Sequence, residues 1–132
     1  KFQELKGLDF LEVEKCGFFN FEEHAGASPD GLVSDNSVLE IKCPKSTTFF
    51  KLVATNEIDA KYYAQMQMQM LCTNREKAYF FNYLVHDGTE YYHEIIVDRD
   101  DAMIEKIKDR IKEAVEIKTE YINLINKNRQ WK

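Results

Sequence analysis

Several stretches of this chain alternate hydrophobic and polar residues, which is the period of a β-strand. They cover residues 10–16, continued by 18–21, then 38–42, 77–85 and 90–97. The last two are rich in aromatic and β-branched residues and flank His86-Asp87-Gly88-Thr89. That turn composition predicts that they form a β-hairpin.

Other stretches repeat apolar residues at intervals of three and four, the period of an amphipathic helix. They predict helices over residues 46–56, 59–73 and 100–128. Ser46 or Thr47 is the expected N-cap of the first. Residues 64–70 alternate strictly between Gln and Met after Ala64, which by period alone indicates a strand, but both residue types favour helix and the run is long. We therefore predict a helix there, with Tyr62, Gln65 and Gln69 on one face.

Together these elements predict an α/β protein forming one domain over residues 1–132. At 44% hydrophobic residues, a chain of 132 residues can bury a real core. No apolar run approaches the length of a membrane span and no signal peptide is recognisable, so we expect a cytoplasmic protein without membrane contact. Cys16, Cys43 and Cys72 are far apart, which argues against a disulfide framework or metal-cluster site and favours buried thiols.

The charge balance does not indicate a nucleic-acid-binding protein. The net charge is −5, whereas such proteins usually present a basic face. Three lysines, Lys42, Lys45 and Lys51, are nevertheless close together where a predicted strand meets a predicted helix. A local positive rim can therefore coexist with an acidic protein.

Ser28-Pro29-Asp30-Gly31 and the strand that contains Glu40, Ile41 and Lys42 carry the candidate chemistry. A hairpin would bring the Asp30 and Glu40 carboxylates together, with the Ile41 carbonyl as a further oxygen donor, and Mg²⁺ prefers such ligands. Glu40 and Lys42 are two residues apart and share a face of the strand. A lysine there can orient the attacking water or stabilise charge on a phosphate, as phosphodiester hydrolysis requires.

A structural interpretation accounts for the same residues. Ser-Pro-Asp-Gly is an ordinary type I turn, and Leu39-Glu40-Ile41-Lys42 is typical of a half-exposed strand with a surface ion pair. The short pattern alone is more often structural than catalytic.

The longer pattern resembles a known family. Residues 27–32, Ala-Ser-Pro-Asp-Gly-Leu, and residues 39–44, Leu-Glu-Ile-Lys-Cys-Pro, are similar to the signature of the phage lambda-type (viral recombination) alkaline exonucleases of the PD-(D/E)xK superfamily. Tyr62-Tyr63-Ala64-Gln65 resembles that family's Tyr-x-x-Gln helix, and Gln130-Trp131-Lys132 resembles its C-terminus. The resemblance covers most of the chain.

The resemblance implies a restriction-endonuclease-like core, a mixed sheet flanked by helices. It implies a Mg²⁺-dependent deoxyribonuclease, with Mn²⁺ as a substitute, that degrades linear double-stranded DNA from the 5′ end and leaves a single strand for an annealing protein. Asp30, Glu40, Lys42 and Gln65 would then be catalytic, and Ser28, Lys45, Ser46 and Tyr62 would bind substrate. Analogy also suggests a ring-shaped trimer.

One part of the family pattern is missing. Family members carry an upstream helix with a Gly-x-x-x-Glu metal-site glutamate, and nothing before Asp30 has that spacing. We expect that the sequence lacks an N-terminal helical portion of the domain. Two alternatives stay open: an endonuclease or repair nuclease of the same superfamily, and a non-catalytic DNA-binding or assembly module.

Overall fold

A mixed β-sheet forms the centre of the protein. The structure, a computed structural model, describes residues 13–14, 17–21 and 25–129. Its strands are β1 (Val13–Glu14), β2 (Phe19–Phe21), β3 (Ala25–Ala27), β4 (Gly31–Val33), β5 (Ser37–Lys42), β6 (Lys77–His86) and β7 (Thr89–Asp98). Its helices are α1 (Ser46–Thr55), α2 (Ala60–Thr73) and α3 (Asp101–Arg129). The predicted α/β class is confirmed.

The order of strands in the main sheet is β1-β4-β5-β6-β7, and β2 pairs with β3 in a separate two-stranded sheet. The β5 and β6 strands are parallel, and the chain between them forms α1 and α2. The other neighbouring pairs of the main sheet are antiparallel. This connection places α2 across the sheet face on which Glu40 lies.

The core lies between the sheet and the two crossover helices. Its buried members are Val38, Leu52, Met66, Met70, Ala78, Phe80 and Val97. Met66 and Met70 of the Gln-Met run therefore fill core, as their adaptable side chains suit them to do. The predicted helix over this run is confirmed, and Asp59 caps it by accepting a hydrogen bond from the Lys61 N–H (2.9 Å).

The hairpin prediction is also confirmed. Asp87 and Gly88 form the two-residue turn between β6 and β7, with φ of 51° and 77°. Positive φ at both positions characterises the turn that matches the twist of a hairpin, and glycine adopts it without steric strain.

Three details of the prediction are wrong. Residues 18–21 do not continue the first strand, because Phe19–Phe21 pairs with Ala25–Ala27 instead. The N-cap of α1 is Lys45, whose side chain makes no capping bond, because the helix already includes Ser46. Cys43 is exposed and Cys72 is half-buried. Residues 10–12, Cys16 and the C-terminal Gln130-Trp131-Lys132 lie outside the described residues.

The long helix α3 is buried mainly in its first turns. Ile104 is its buried residue, and the helix packs against α2. Farther along, several apolar side chains are exposed: Ile117, Tyr121, Ile122, Leu124 and Ile125. None of the helices within the described residues is long and apolar enough to cross a membrane.

Asp100 connects α2 to the start of α3, and this connection predicts a pH dependence of stability. Its carboxylate accepts hydrogen bonds from the Met103 N–H (3.1 Å) and the Tyr63 hydroxyl (2.8 Å). These bonds, first that of Met103, hold the pKa of Asp100 below its usual value, whereas burial and the Asp100 carboxylate raise the pKa of Tyr63. A lowered carboxyl pKa stabilises the fold above the unfolded-state pKa, and this contribution is lost as pH falls through the folded-state pKa.

We therefore expect Asp100→Asn to lower the melting temperature at pH 7 and to lower it less at pH 3. Asparagine keeps an acceptor but cannot ionise, so the difference from the wild type must shrink on acidification. Thermal unfolding at the two pH values measures it, with Asp109→Asn as the control because Asp109 is an exposed carboxylate of the same helix. An equal difference at both pH values would contradict the assignment.

Candidate active site

The hairpin of β4 and β5 brings Asp30 beside the strand that carries Glu40. Gly31 pairs with Leu39, so the same register places Asp30 opposite Glu40. The Asp30 N–H donates to the Leu39 carbonyl (2.9 Å), and Asp30 Oδ2 accepts a bond from the Ile41 N–H (2.7 Å). Two carboxylate-bearing residues, ten positions apart in sequence, thus lie on adjacent strand ends.

Glu40 is buried, with 4% of its surface exposed, and three side chains bind its carboxylate. Oε1 pairs with Lys42 Nζ (3.0 Å) and accepts a longer bond from Gln65 Nε2 (3.4 Å). Oε2 accepts a bond from Gln69 Nε2 (2.6 Å). Burying a carboxylate costs free energy unless it has such partners, so these three contacts stabilise the Glu40 side chain and hold it in one orientation.

Lys42 is held between a carboxylate and an aromatic ring. Its Nζ lies 3.0 Å from Glu40 Oε1 and 4.5 Å from the centroid of the Tyr62 ring. The side chain keeps 28% of its surface exposed. Its ammonium group is therefore fixed by Coulomb and cation–π attraction while still accessible to a ligand.

Sequence reasoning did not find the contribution of Gln69. Its side chain is 1% exposed and makes the shortest of the bonds to Glu40, while its own Oε1 is buried without a hydrogen-bond partner among the described residues. Gln67 was also missed: it binds the Asp98 carbonyl (3.0 Å) and the Asp100 N–H (2.8 Å). The available signal was that Gln69 follows Gln65 by one helical turn.

We expect Gln69→Leu to lower the free energy of unfolding by about 1–3 kcal/mol, because a buried carboxylate oxygen loses its donor. Urea unfolding measures the change. Gln65→Leu is the matched control: Gln65 binds the same carboxylate, but it is exposed and its bond is long. Equal losses of unfolding free energy in the two variants would show that the buried Gln69 bond stabilises the protein no more than the exposed Gln65 bond.

A cleft of about 390 Å³ opens beside Lys42. Its lining comprises Lys42, Cys43, Pro44, Thr48, Lys51, Leu52, Glu57, Ile58, Asp59, Tyr62, Phe80 and Asn82. Of the residues predicted to bind substrate, Tyr62 lines this cleft. Lys45 and Ser46 lie outside its lining. The Ser28 hydroxyl lies 3.5 Å from the Gly17 carbonyl, at the long limit for a hydrogen bond.

The donor set suits a hard divalent cation. Asp30 and Glu40 offer carboxylate oxygens, and Mg²⁺ commonly binds one or two carboxylates while keeping several waters and contacting substrate phosphates. Among residues 13–14, 17–21 and 25–129, no group of three or more His, Cys, Asp or Glu side chains is placed to hold a metal. The residues therefore fit an ion that completes its coordination with water and substrate, and the Ile41 carbonyl stays a predicted ligand.

Comparison of the chain with known proteins identifies a matching family. The model of the YqaJ-like viral recombinase domain matches residues 2–76, more than half of the chain. No curated protein matches. Among solved structures, the alkaline exonuclease LHK-Exo from Laribacter hongkongensis is 31% identical, with a TM-score of 0.84 over 98% of this chain and 69% of that one.

Two further structures agree with this result. A complex of LHK-Exo with dAMP gives a TM-score of 0.83 at 31% identity, covering 98% of this chain and 68% of that one. A phage-related exonuclease from Haemophilus somnus 129PT gives 0.58 at 18% identity, covering 83% and 61%, and at that identity it bears on the fold alone. The fold is thus that of the alkaline exonucleases, a PD-(D/E)xK-like core.

Proposed function

The chain belongs to the YqaJ-like viral recombinase domain family, and on that premise we propose that it is a Mg²⁺-dependent exonuclease acting on linear double-stranded DNA in phage-type recombination. The observation that supports the proposal is the strand register that places Asp30 opposite Glu40, together with the ion pair between Glu40 and Lys42. The similarity of the chain to an alkaline exonuclease, at 31% identity, supports the same activity.

Asp30 and Glu40 are the residues that would hold the metal. A bound Mg²⁺ would lower the pKa of a water molecule that it binds and would offset negative charge on the phosphate. Glu40 suits this position because Lys42 and Gln69 hold its carboxylate in a single orientation. Pre-oriented charges need no reorganisation when charge develops in the reaction, which is where such sites gain most of their rate.

Lys42 and Gln65 would act on the substrate and the water. The Lys42 ammonium is accessible and can donate to a phosphate oxygen or orient the attacking water. The Gln65 amide reaches the same Glu40 oxygen and is exposed, so it can position a water beside the carboxylate. The role of Gln65 matches the one implied by the Tyr-x-x-Gln resemblance.

An acidic protein can still bind DNA at this place. The net charge of −5 opposes a general affinity for nucleic acid. Two lysines nevertheless line the cleft: Lys42, which pairs with Glu40, and Lys51. They lie there together with two carboxylates, Glu57 and Asp59, so the cleft is not acidic overall. We take a nucleoside monophosphate as the product, which the dAMP complex of the relative supports.

Digestion of duplex DNA labelled at one 5′ end or at one 3′ end tests the proposal, with the full-length protein and covalently closed circles as the control. We expect linear DNA to be degraded in Mg²⁺, the 5′ label to be released first and circles to stay intact. Cut circles would instead indicate an endonuclease or repair nuclease, and intact DNA throughout would indicate a non-catalytic module. Attack from the 5′ end, delivery of the remaining strand to an annealing protein, and a ring-shaped trimer are parts of the proposal that rest on the family resemblance.

A further inference from the structure

Helix α2 carries glutamines at positions 65, 67 and 69, and their surroundings differ. Gln67 and Gln69 are buried, at 0% and 1% exposed, whereas Gln65 is exposed. The Gln67 amide binds backbone groups at the end of β7 and just before α3. Gln69 instead donates from Nε2 to Glu40 Oε2 (2.6 Å). The two buried glutamines therefore differ in that only Gln69 binds a residue of the candidate site.

The Gln69 amide makes hydrogen bonds on one side only. Its Oε1 is buried and has no hydrogen-bond partner in the part of the chain that the structure describes. Turning the amide over would place this oxygen against a Glu40 oxygen, and neither atom can donate. Methionine has a similar length and would leave no unpaired oxygen, so packing alone does not favour glutamine at this position. Departures of this kind are expected where a residue serves function.

The bonds to Glu40 leave one of its oxygens available for a further ligand. Oε1 pairs with Lys42 and accepts the longer bond from Gln65, whereas among the described residues Oε2 accepts a bond from Gln69 only. Each carboxylate oxygen has two lone pairs, so Oε2 keeps one for a cation. Lys42 is partly exposed and Gln65 is exposed, so both can turn toward substrate. Gln69 is enclosed and therefore fixes the direction of Oε2.

We propose that Gln69 is a positioning residue: its hydrogen bond holds Glu40 Oε2 in the direction that a divalent metal ion requires, and so sets the affinity of the site for that ion. The inference rests on the proposed Mg²⁺-dependent function. Mg²⁺ demands near-ideal geometry, which makes its affinity sensitive to the orientation of each ligand. We therefore expect Gln69 to determine how much metal the site needs, rather than the rate that it reaches once metal is bound.

A matched pair of variants separates this role from packing. Gln69→Met removes the donor to Glu40 and keeps an unbranched side chain of similar length. Gln67→Met makes the same change at a buried position of the same helix that has no bond to Glu40. Both variants should lower the melting temperature, but only Gln69→Met should weaken metal binding. If Gln69→Met does not fold, Gln69→Asn takes its place, because its amide is one methylene too short to hold Oε2.

Two measurements on the full-length protein report metal affinity. Binding of Mn²⁺ without DNA is followed by the electron paramagnetic resonance signal of the free ion, and hydrolysis of linear duplex DNA is followed over a Mg²⁺ titration. Removing a hydrogen bond that orients a metal ligand typically weakens metal binding about 10–100-fold. We expect Gln69→Met to raise the Kd for Mn²⁺ and the Mg²⁺ concentration at half-maximum rate by about tenfold or more. Its rate at saturating Mg²⁺ should approach that of the wild type, and Gln67→Met should leave both metal values unchanged.

The outcomes separate the positioning role from the proposed function. An unchanged Kd for Mn²⁺ in Gln69→Met, an equal rise in Gln67→Met, or a loss confined to the maximum rate would each overturn the role of Gln69. A tenfold weaker Kd in Gln69→Met, in a protein whose wild type hydrolyses no DNA, would refute the nuclease function and uphold that role. Mg²⁺-dependent hydrolysis with the same metal affinity in both proteins would do the reverse. A wild type that neither binds Mn²⁺ nor needs Mg²⁺ would overturn both.

Discussion

Lys42→Met should lower the rate of Mg²⁺-dependent DNA hydrolysis about 100-fold or more while leaving the protein folded. Methionine keeps an unbranched apolar side chain over Tyr62 but removes the charge that lies 3.0 Å from Glu40 and faces the cleft. Loss of one pre-oriented donor to a developing charge typically has an effect of this size. The rate is measured as acid-soluble nucleotide released from linear duplex DNA.

The stability of the variant must be measured alongside its rate. Glu40 loses its cationic partner in Lys42→Met but keeps two amide donors, so we expect a lower melting temperature and a cooperative transition. Lys61→Met is the matched control, because Lys61 is an exposed lysine of α2 outside the cleft lining. A Lys42→Met rate within about threefold of the wild type would contradict the assigned role, since such a loss is below 1 kcal/mol.

Asp30→Asn should have an equally large effect, through the metal. The amide oxygen can still accept the bond from the Ile41 N–H, so the local backbone should be kept, while the charge that would attract the cation is removed. We expect hydrolysis to fall about 100-fold or more, because Lewis-acid stabilisation by a metal contributes several kcal/mol. The rate is measured over a Mg²⁺ titration.

The control for Asp30→Asn is Asp35→Asn, which removes a charge from the exposed turn of the same hairpin. It should change neither the maximum rate nor the Mg²⁺ concentration at half-maximum rate. If Asp30→Asn reached the wild-type rate at an unchanged Mg²⁺ requirement, Asp30 would not be a metal ligand. Partial recovery at high Mg²⁺ would agree with weakened binding.

Local sequence patterns were sufficient to predict the strands and helices around the site. The alternation that placed Glu40 and Lys42 on one face of a strand agrees with their 3.0 Å ion pair, and Asp87-Gly88 does form the hairpin turn. The Gln-Met run shows the limit of periodicity. Its alternation indicated a strand, but it is helical, because α2 buries Met66 and Met70 against the sheet while Gln67 and Gln69 bind polar groups.

Contacts between distant parts of the chain could not be predicted. Gln69 and Glu40 are 29 residues apart, and their bond exists because α2 crosses the sheet face where Glu40 lies. Asn82 lies beside Lys42 because β5 and β6 are parallel and pair in that register, which no local pattern specifies. The N-cap of α1 was predicted too far along the chain. Ser46 is already part of the helix, so Lys45, in the extended conformation, is the cap.

Phosphodiester hydrolysis by the full-length protein, with Mg²⁺ and with EDTA in its place, tests the central claim most directly. Linear duplex DNA is incubated under both conditions, and the nucleotides released are quantified. The carboxylates of Asp30 and Glu40, with Lys42 beside them, predict release in Mg²⁺ and none in EDTA. Release that continues unchanged in EDTA, or no release in either Mg²⁺ or Mn²⁺, would contradict a metal-dependent nuclease site.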